Sequence, residues 1–187
     1  MAVSLSKGGN ISLSKSAPSL KRILVGLGWE SRSTTGADYD LDASAFLLGE
    51  NGKVRRDEDF LFYNQLLSVC GSVEHTGDNR TGAGDGDDEV INVDLSKIPA
   101  TIVSLVFTVN SFTGQTFETV ENAFCRIVNA NNNSEVARYN LSAQGGHTAM
   151  IMAKVYRHND EWKMHAIGAN VNGRTFQEIV PHVLPYV

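Results

Sequence analysis

Short β-rich runs, cut apart by turn residues, leave this chain few architectures. KRILVGLGW (21–29), LDASAFLL (41–48), DFLFYN (59–64), VINVDL (90–95) and IVSLVFTV (102–109) are all of strand length and rich in branched and aromatic side chains. AFCRIVN (123–129) and EVARYNL (135–141) flank the turn-rich NNNS, while MIMAKVYR (150–157) and EWKMHAIG (161–168) flank a turn at His158–Asp160, which predicts two hairpins. VSLSK (3–7) recurs as ISLSK (11–15) around Gly8, Gly9 and Asn10, and both copies alternate, which predicts an opening hairpin. Strands outnumber helices and no βαβ alternation occurs. The fold class predicted is therefore all-β, a two-sheet antiparallel β-sandwich with acidic metal-binding loops and a short C-terminal helix. That helix is read from the capping-box spacing of Thr175 and Glu178 ahead of Phe176, Ile179, Val180, Val183 and Leu184, with Pro181 shortening or kinking it. At 187 residues and 42% hydrophobic content, residues 1–187 are expected to form one domain.

Two acidic segments stand out from this frame. GDNRTGAGDGDDE (77–89) places Asp78, Asp85, Asp87, Asp88 and Glu89 beside four glycines and a single base, Arg80. Like charges a few ångströms apart repel by about 1–4 kcal/mol per pair, so a fold that gathers them calls for a cation. ADYDLDAS (37–44) alternates Asp38, Asp40 and Asp42 with Tyr39 and Leu41. In a strand its acids share one face, expected to look outward, roughly 7 Å apart per two-residue step.

Calcium accepts six to eight oxygen ligands at about 2.3–2.6 Å from carboxylates, amides, backbone carbonyls and water. The two segments offer that mixture, with Asn79 adding an amide and Gly77, Gly82, Gly84 and Gly86 freeing backbone carbonyls to turn inward. Zinc would want sulfur or imidazole, and neither lies in either segment. Magnesium also prefers oxygen, but it keeps its waters and commonly takes one or two carboxylates, so the surplus favours calcium, with two ions expected. An EF-hand is excluded: Asp38, Asp40 and Asp42 match its first positions, but Ala43 replaces the turn glycine and Gly49 stands where its bidentate Glu belongs.

A net charge of −5 with clustered acids argues against a direct nucleic-acid partner. The longest apolar stretch, at 101–109, is too short for a transmembrane segment, and the start lacks a secretory pattern, so a soluble intracellular protein is expected. Cys70 and Cys125 are isolated and read as core thiols.

Taken in order, GLGW (26–29), DLDASAFLL (40–48), GDNRTGAGDGDDE (77–89), NAFCRIVN (122–129), TAMI (148–151) and YRHNDEWKMHAIG (156–168) resemble the TerD family of tellurium-resistance and stress proteins. The resemblance implies a calcium-binding β-sandwich of the bacterial cytoplasm or the inner face of its membrane. It also implies work alongside related tellurium-resistance proteins, including a membrane-associated complex. The family's metal-binding segments match Asp38, Asp40 and Asp42, and Asp78, Asn79, Asp85, Asp87, Asp88 and Glu89; Gly82 is added as a carbonyl donor. Glu30 follows GLGW where the family usually has Asp, and LSAQGG (141–146) lacks the acids often found there, so no auxiliary acidic contribution is expected from 143–146. The ending GRTFQEIVPHVLPYV (173–187) is more similar to some paralogues than to the name-giving member, which leaves the paralogue open.

The function expected is a calcium-binding module of a stress and tellurite-resistance system, acting by metal-stabilised binding or scaffolding. Paired ions in acidic clusters also catalyse in-line displacement, so a metal-dependent phosphoesterase is the alternative, and a metal-independent assembly subunit a further one. The chain has no GxSxG or P-loop, and His75, His147, His158, His165 and His182 show no ligand pairing with the acids, so no enzyme is expected. Thiol chemistry on tellurite is disfavoured because two separated cysteines make a poor redox centre.

Overall fold

The computed structural model describes residues 2–31, 41–54, 56–77, 86–141 and 145–186. Its first half contains β1 (Val3–Leu5), β2 (Asn10–Ser12), α1 (Leu13–Ser16), β3 (Arg22–Ser31), β4 (Leu41–Leu48), β5 (Phe60–Leu61), β6 (Val73–His75) and β7 (Glu89–Asp94). The second contains β8 (Ser104–Ser111), β9 (Val120–Asn129), β10 (Ser134–Asn140), β11 (Ala149–His158), β12 (Glu161–Val171) and α2 (Phe176–Val183). These strands form two six-stranded sheets, β1-β10-β9-β3-β7-β6 and β2-β12-β11-β8-β4-β5. Apart from the parallel pair β1 and β10, the strands pair antiparallel. The sandwich predicted from the apolar runs is therefore what the chain forms.

Val25, Leu27, Ile91 and Ile127 of the first sheet and Ala45, Leu47, Leu105 and Phe107 of the second belong to one buried cluster, the sandwich core. β7 alternates buried and half-buried positions, as a strand with one open face should. β4 and β8 are buried at every position instead. A second cluster explains this: Phe46, Leu48, Val106, Ala149 and Ile151 pack with Phe60 and with Ile179 and Val183 of α2. The second sheet thus has its outer face covered as well.

Asp42, expected to look out to solvent, is only 5% exposed because its strand is covered on both sides. The opening hairpin does not form. Val3 pairs with Ala137 in the first sheet and Ile11 with Met164 in the second, so the two copies of the repeat cover edges of different sheets. Alternation marks both segments as strands, but each sheet edge offers unpaired N–H and C=O groups that compete with the local partner. The second copy leaves the strand at Leu13, where Ser12 Oγ accepts from Lys15 N–H at 3.1 Å and caps α1. DFLFYN is a strand only at Phe60–Leu61, and a tight turn follows, closed by Gln65 N–H donating to Phe62 O at 2.9 Å.

α2 includes Pro181 and stays within eight residues. The expected capping box does not form between Thr175 and Glu178: Thr175 gives no side-chain cap, and Glu178 Oε2 accepts from Arg174 N–H at 2.7 Å.

Candidate functional site

Of the sequence-derived ligand set, Asp38, Asp40, Asp78, Asn79, Gly82 and Asp85 lie outside the described residues. Asp42, Asp87, Asp88 and Glu89 lie inside them, and the last three point three ways from the entrance to β7.

Glu89 turns inward between the sheets. Its Oε2 accepts from Ala43 N–H of β4 at 2.7 Å and sits 3.2 Å from His75 Nε2, with both side chains fully buried. His75 Nε2 is also 3.1 Å from Ala43 O. His75 Nδ1 accepts from Gly77 N–H at 3.1 Å, which places the ring proton on Nε2, facing the carboxylate and the carbonyl. β5 pairs with β4 only at Ala45 and Phe46, so the β4 edge at Ala43 is satisfied by side chains of the opposite sheet. The bridge brings the described ends of the two acidic segments together, because Ala43 directly follows Asp42.

Asp88 serves the end of the first sheet. β3 pairs with β7 from Arg22 to Leu27, and beyond that point the Trp29 N–H is taken by Asp88 Oδ2 at 2.7 Å, while Asp88 N–H donates to Leu27 O at 2.9 Å. Burial raises the Asp88 carboxyl to about 6, and the negative charges of Glu89, Asp87 and Glu30 push the same way against the Trp29 bond. Glu30 itself accepts from Asn122 Nδ2 at 2.7 Å.

Asp87 lies over Gly26, whose missing side chain leaves room for the carboxylate. Arg126 grips it with Nε to Oδ1 at 2.7 Å and Nη2 to Oδ2 at 2.9 Å, a bidentate pair. The network runs on through Glu135, whose Oε2 accepts from Arg126 Nη1 at 3.3 Å and from Arg138 Nη1 at 3.1 Å. Arg138 in turn covers the Phe124 ring at 3.9 Å. The Asp87 bonds and the Glu135 pair raise the Arg126 guanidinium further above its ordinary value.

Among the described residues, no three His, Cys, Asp or Glu side chains gather into a metal-holding group. Asp87, Asp88 and Glu89 are oxygen donors, but Arg126, the Trp29 N–H and the Ala43 N–H hold them in three different directions.

Sequence reasoning missed His75, whose place in the bridge follows from a pairing between sheets that no local pattern announces. Cys125 is buried as expected, and burial pushes its thiol up to about 12. Cys70 is not a core thiol: it is half-buried, between Ser68 Oγ at 3.4 Å and Ser72 Oγ at 2.8 Å. The described residues contain no helix long and apolar enough to cross a membrane.

A TerD domain profile matches residues 1–182. Over 178 residues the chain is 56% identical to Tellurium resistance protein TerD of Serratia marcescens, covering 92% of this chain and 93% of that protein. It is 48% identical over 179 residues to General stress protein 16U of Bacillus subtilis (strain 168), again covering 92% and 93%. A solved homologue of telluride resistance protein (TerD) from Streptomyces coelicolor A3(2) superposes with a TM-score of 0.70 over 86% of this chain and 95% of that one; at 19% identity the likeness is one of fold.

Proposed function

This chain belongs to the TerD family, and from that premise we propose that it is a calcium-binding, non-catalytic module of a bacterial stress and tellurite-resistance system. It acts by metal-stabilised binding or scaffolding, together with related proteins of the family, at the inner face of the membrane or in the cytoplasm. The observation that carries this reading is the convergence at Ala43: Glu89 Oε2 meets the backbone one residue past Asp42, beside an Asp88 carboxyl already held near 6 by burial and neighbouring acids.

Asp42 and Asp88 are the described side chains proposed to hold calcium, together with the acids of 38–40 and 78–85. Glu89, fixed on Ala43, and Asp87, fixed on Arg126, shape the segment between them. Bound calcium would supply charge neutralisation where carboxylates repel, favouring the folded chain by linkage. Two ions are expected from the number of acids.

The test is a calorimetric calcium titration of chelator-stripped protein, repeated in excess magnesium. Calcium heats that persist in magnesium and weaken in Asp88→Asn support the proposal. No binding at millimolar calcium overturns it.

A further inference from the structure

We infer that the cavity between β4, the turn after β5 and the start of α2 binds a neutral pyranose sugar. The cavity holds about 430 Å³, within the range of small-molecule sites. Recognition here uses no charge and no metal. Asp42 also lines the cavity, but it is assigned above to calcium and is not needed for the sugar.

The floor is a polar island on a largely apolar face. On the covered side of the second sheet, Phe46, Leu48, Val106, Ala149 and Ile151 pack into the cluster beneath α2. Ser44 and Thr108 stand directly opposite one another on β4 and β8, and Asn110 comes next on the same face. Ser44 is only 3% exposed, lines the cavity and makes no side-chain hydrogen bond to a described residue. Thr108 Oγ1 is likewise buried without a partner among them. Asn110 Nδ2 donates to Arg174 O at 3.4 Å, which leaves Oδ1 as an acceptor at the cavity wall. Unpartnered buried hydroxyls destabilise a fold, and here they gather where a cavity opens.

The wall is aromatic. Phe62 and Tyr63 meet at 84° with centroids 5.2 Å apart, and Tyr63 and Phe112 at 80° and 5.8 Å. Tyr63 and Phe112 remain 40% and 50% exposed at the mouth. Arg174 donates from Nε and Nη2 to Phe112 O at 3.3 and 3.1 Å and so fixes that residue in place. Gln177, exposed in the first turn of α2, lines the mouth and adds an amide.

An aromatic corner above neutral hydrogen-bonding groups suits a puckered, hydroxyl-rich ring. The partly positive C–H groups on one side of a pyranose pack on the negative ring faces, while its hydroxyls exchange hydrogen bonds with Ser44, Asn110 and Gln177. A purely apolar ligand would strand the Ser44 hydroxyl and the Asn110 carbonyl. A planar base gains most from parallel rings on both its faces, which a right-angled corner does not offer.

The experiment titrates full-length protein with glucose, galactose, mannose and N-acetylglucosamine, in chelator and again in calcium buffer, read by calorimetry and saturation-transfer NMR. Two controls divide the recognition. Tetrahydropyran-2-methanol keeps the ring without its ring hydroxyls, and sorbitol keeps the hydroxyls without a closed ring. At least one pyranose is expected to bind with Kd of about 5 mM or tighter, about fivefold or more ahead of both controls, and equally in the two buffers. Tyr63→Ala and Phe112→Ala are expected to weaken it about fivefold or more, and a melting curve checks that these exposed positions tolerate the change. Ser44→Ala is expected to weaken it too while leaving the melting temperature unchanged or higher, a split that a structural role for the hydroxyl would not produce. No pyranose binding up to about 50 mM, controls that bind as well as the sugars, affinity indifferent to the ring variants or to Ser44→Ala, or binding that requires calcium overturns the proposal. The calcium titration above is read on Asp88, which does not line this cavity, so either proposal can fail alone.

Discussion

Glu89 shows how much one side chain carries. Its carboxylate satisfies the Ala43 N–H at the edge of β4 and lies against His75 Nε2, all out of water. Glu89→Ala leaves the Ala43 N–H buried without its acceptor, while His75 Nε2 keeps Ala43 O, and urea unfolding is expected to show a loss of about 1–3 kcal/mol. Glu89→Gln keeps an oxygen for Ala43 and is expected to cost less than half as much. Equal losses in the two variants would mean that the bridge is not what Glu89 contributes. Asp88 makes a pH-dependent case. Its carboxyl is raised to about 6 from an ordinary 3.8, so the folded chain binds this proton more tightly than the unfolded one. The stabilising contribution is complete below the ordinary carboxylate range and is lost as pH rises through about 6. In chelator, the melting temperature of the wild type is expected to carry a downward component between about pH 4 and about pH 6 that Asp88→Asn lacks. Parallel profiles for the two proteins would refute it.

At the scale of elements, the strand β3 and the helix α2 each make a contact that can be tested. β3 passes beneath Asp87 at Gly26, and a methyl group there would occupy the place of the carboxylate that Arg126 grips. Gly26→Ala is expected to cost about 1–3 kcal/mol, and a double-mutant cycle with Asp87→Asn should show strong coupling, since both break one contact. Independent, additive losses would place the strain elsewhere. α2 covers the outer face of the second sheet through Ile179 and Val183, which are 2% and 1% exposed. Ile179→Ala is expected to destabilise by about 2–4 kcal/mol, measured by urea unfolding. A smaller effect, within about 0.5 kcal/mol, would mean the helix docks only loosely. The sheet beneath retains its sandwich core on the other face, so the variant should remain folded.

For the whole molecule, calcium binding is expected to act on the folded chain as a unit. At a free calcium concentration a hundredfold above Kd, linkage contributes about 2.7 kcal/mol, which for a chain of this size raises the melting temperature by roughly 5–10 °C. An unchanged melting temperature at saturating calcium would contradict the proposed linkage. Much of the architecture was legible in the chain itself. Apolar runs such as IVSLVFTV and the NNNS turn between AFCRIVN and EVARYNL specify strands and a hairpin through backbone preference and turn chemistry, which act over a few residues. The glycine-acid segment likewise announced concentrated charge. Partner choice was not local. VSLSK and ISLSK look alike, yet they cover edges of different sheets, because edges 134 and 153 residues away (Val3 to Ala137, Ile11 to Met164) offer backbone groups that the neighbouring copy does not outbid. Asp42 reads as a solvent-facing strand acid, but a helix from the far end of the chain and the aromatic turn after β5 close over its face. DDE reads as a single ligand cluster, yet its three carboxylates go to Arg126, Trp29 and Ala43. Sequence by itself determined which segments are strands and where negative charge is gathered, since both depend on covalent neighbours. Only the tertiary structure decided which carboxylate meets which donor, because burial and hydrogen-bond geometry are set by segments distant along the chain that pack together only in the fold.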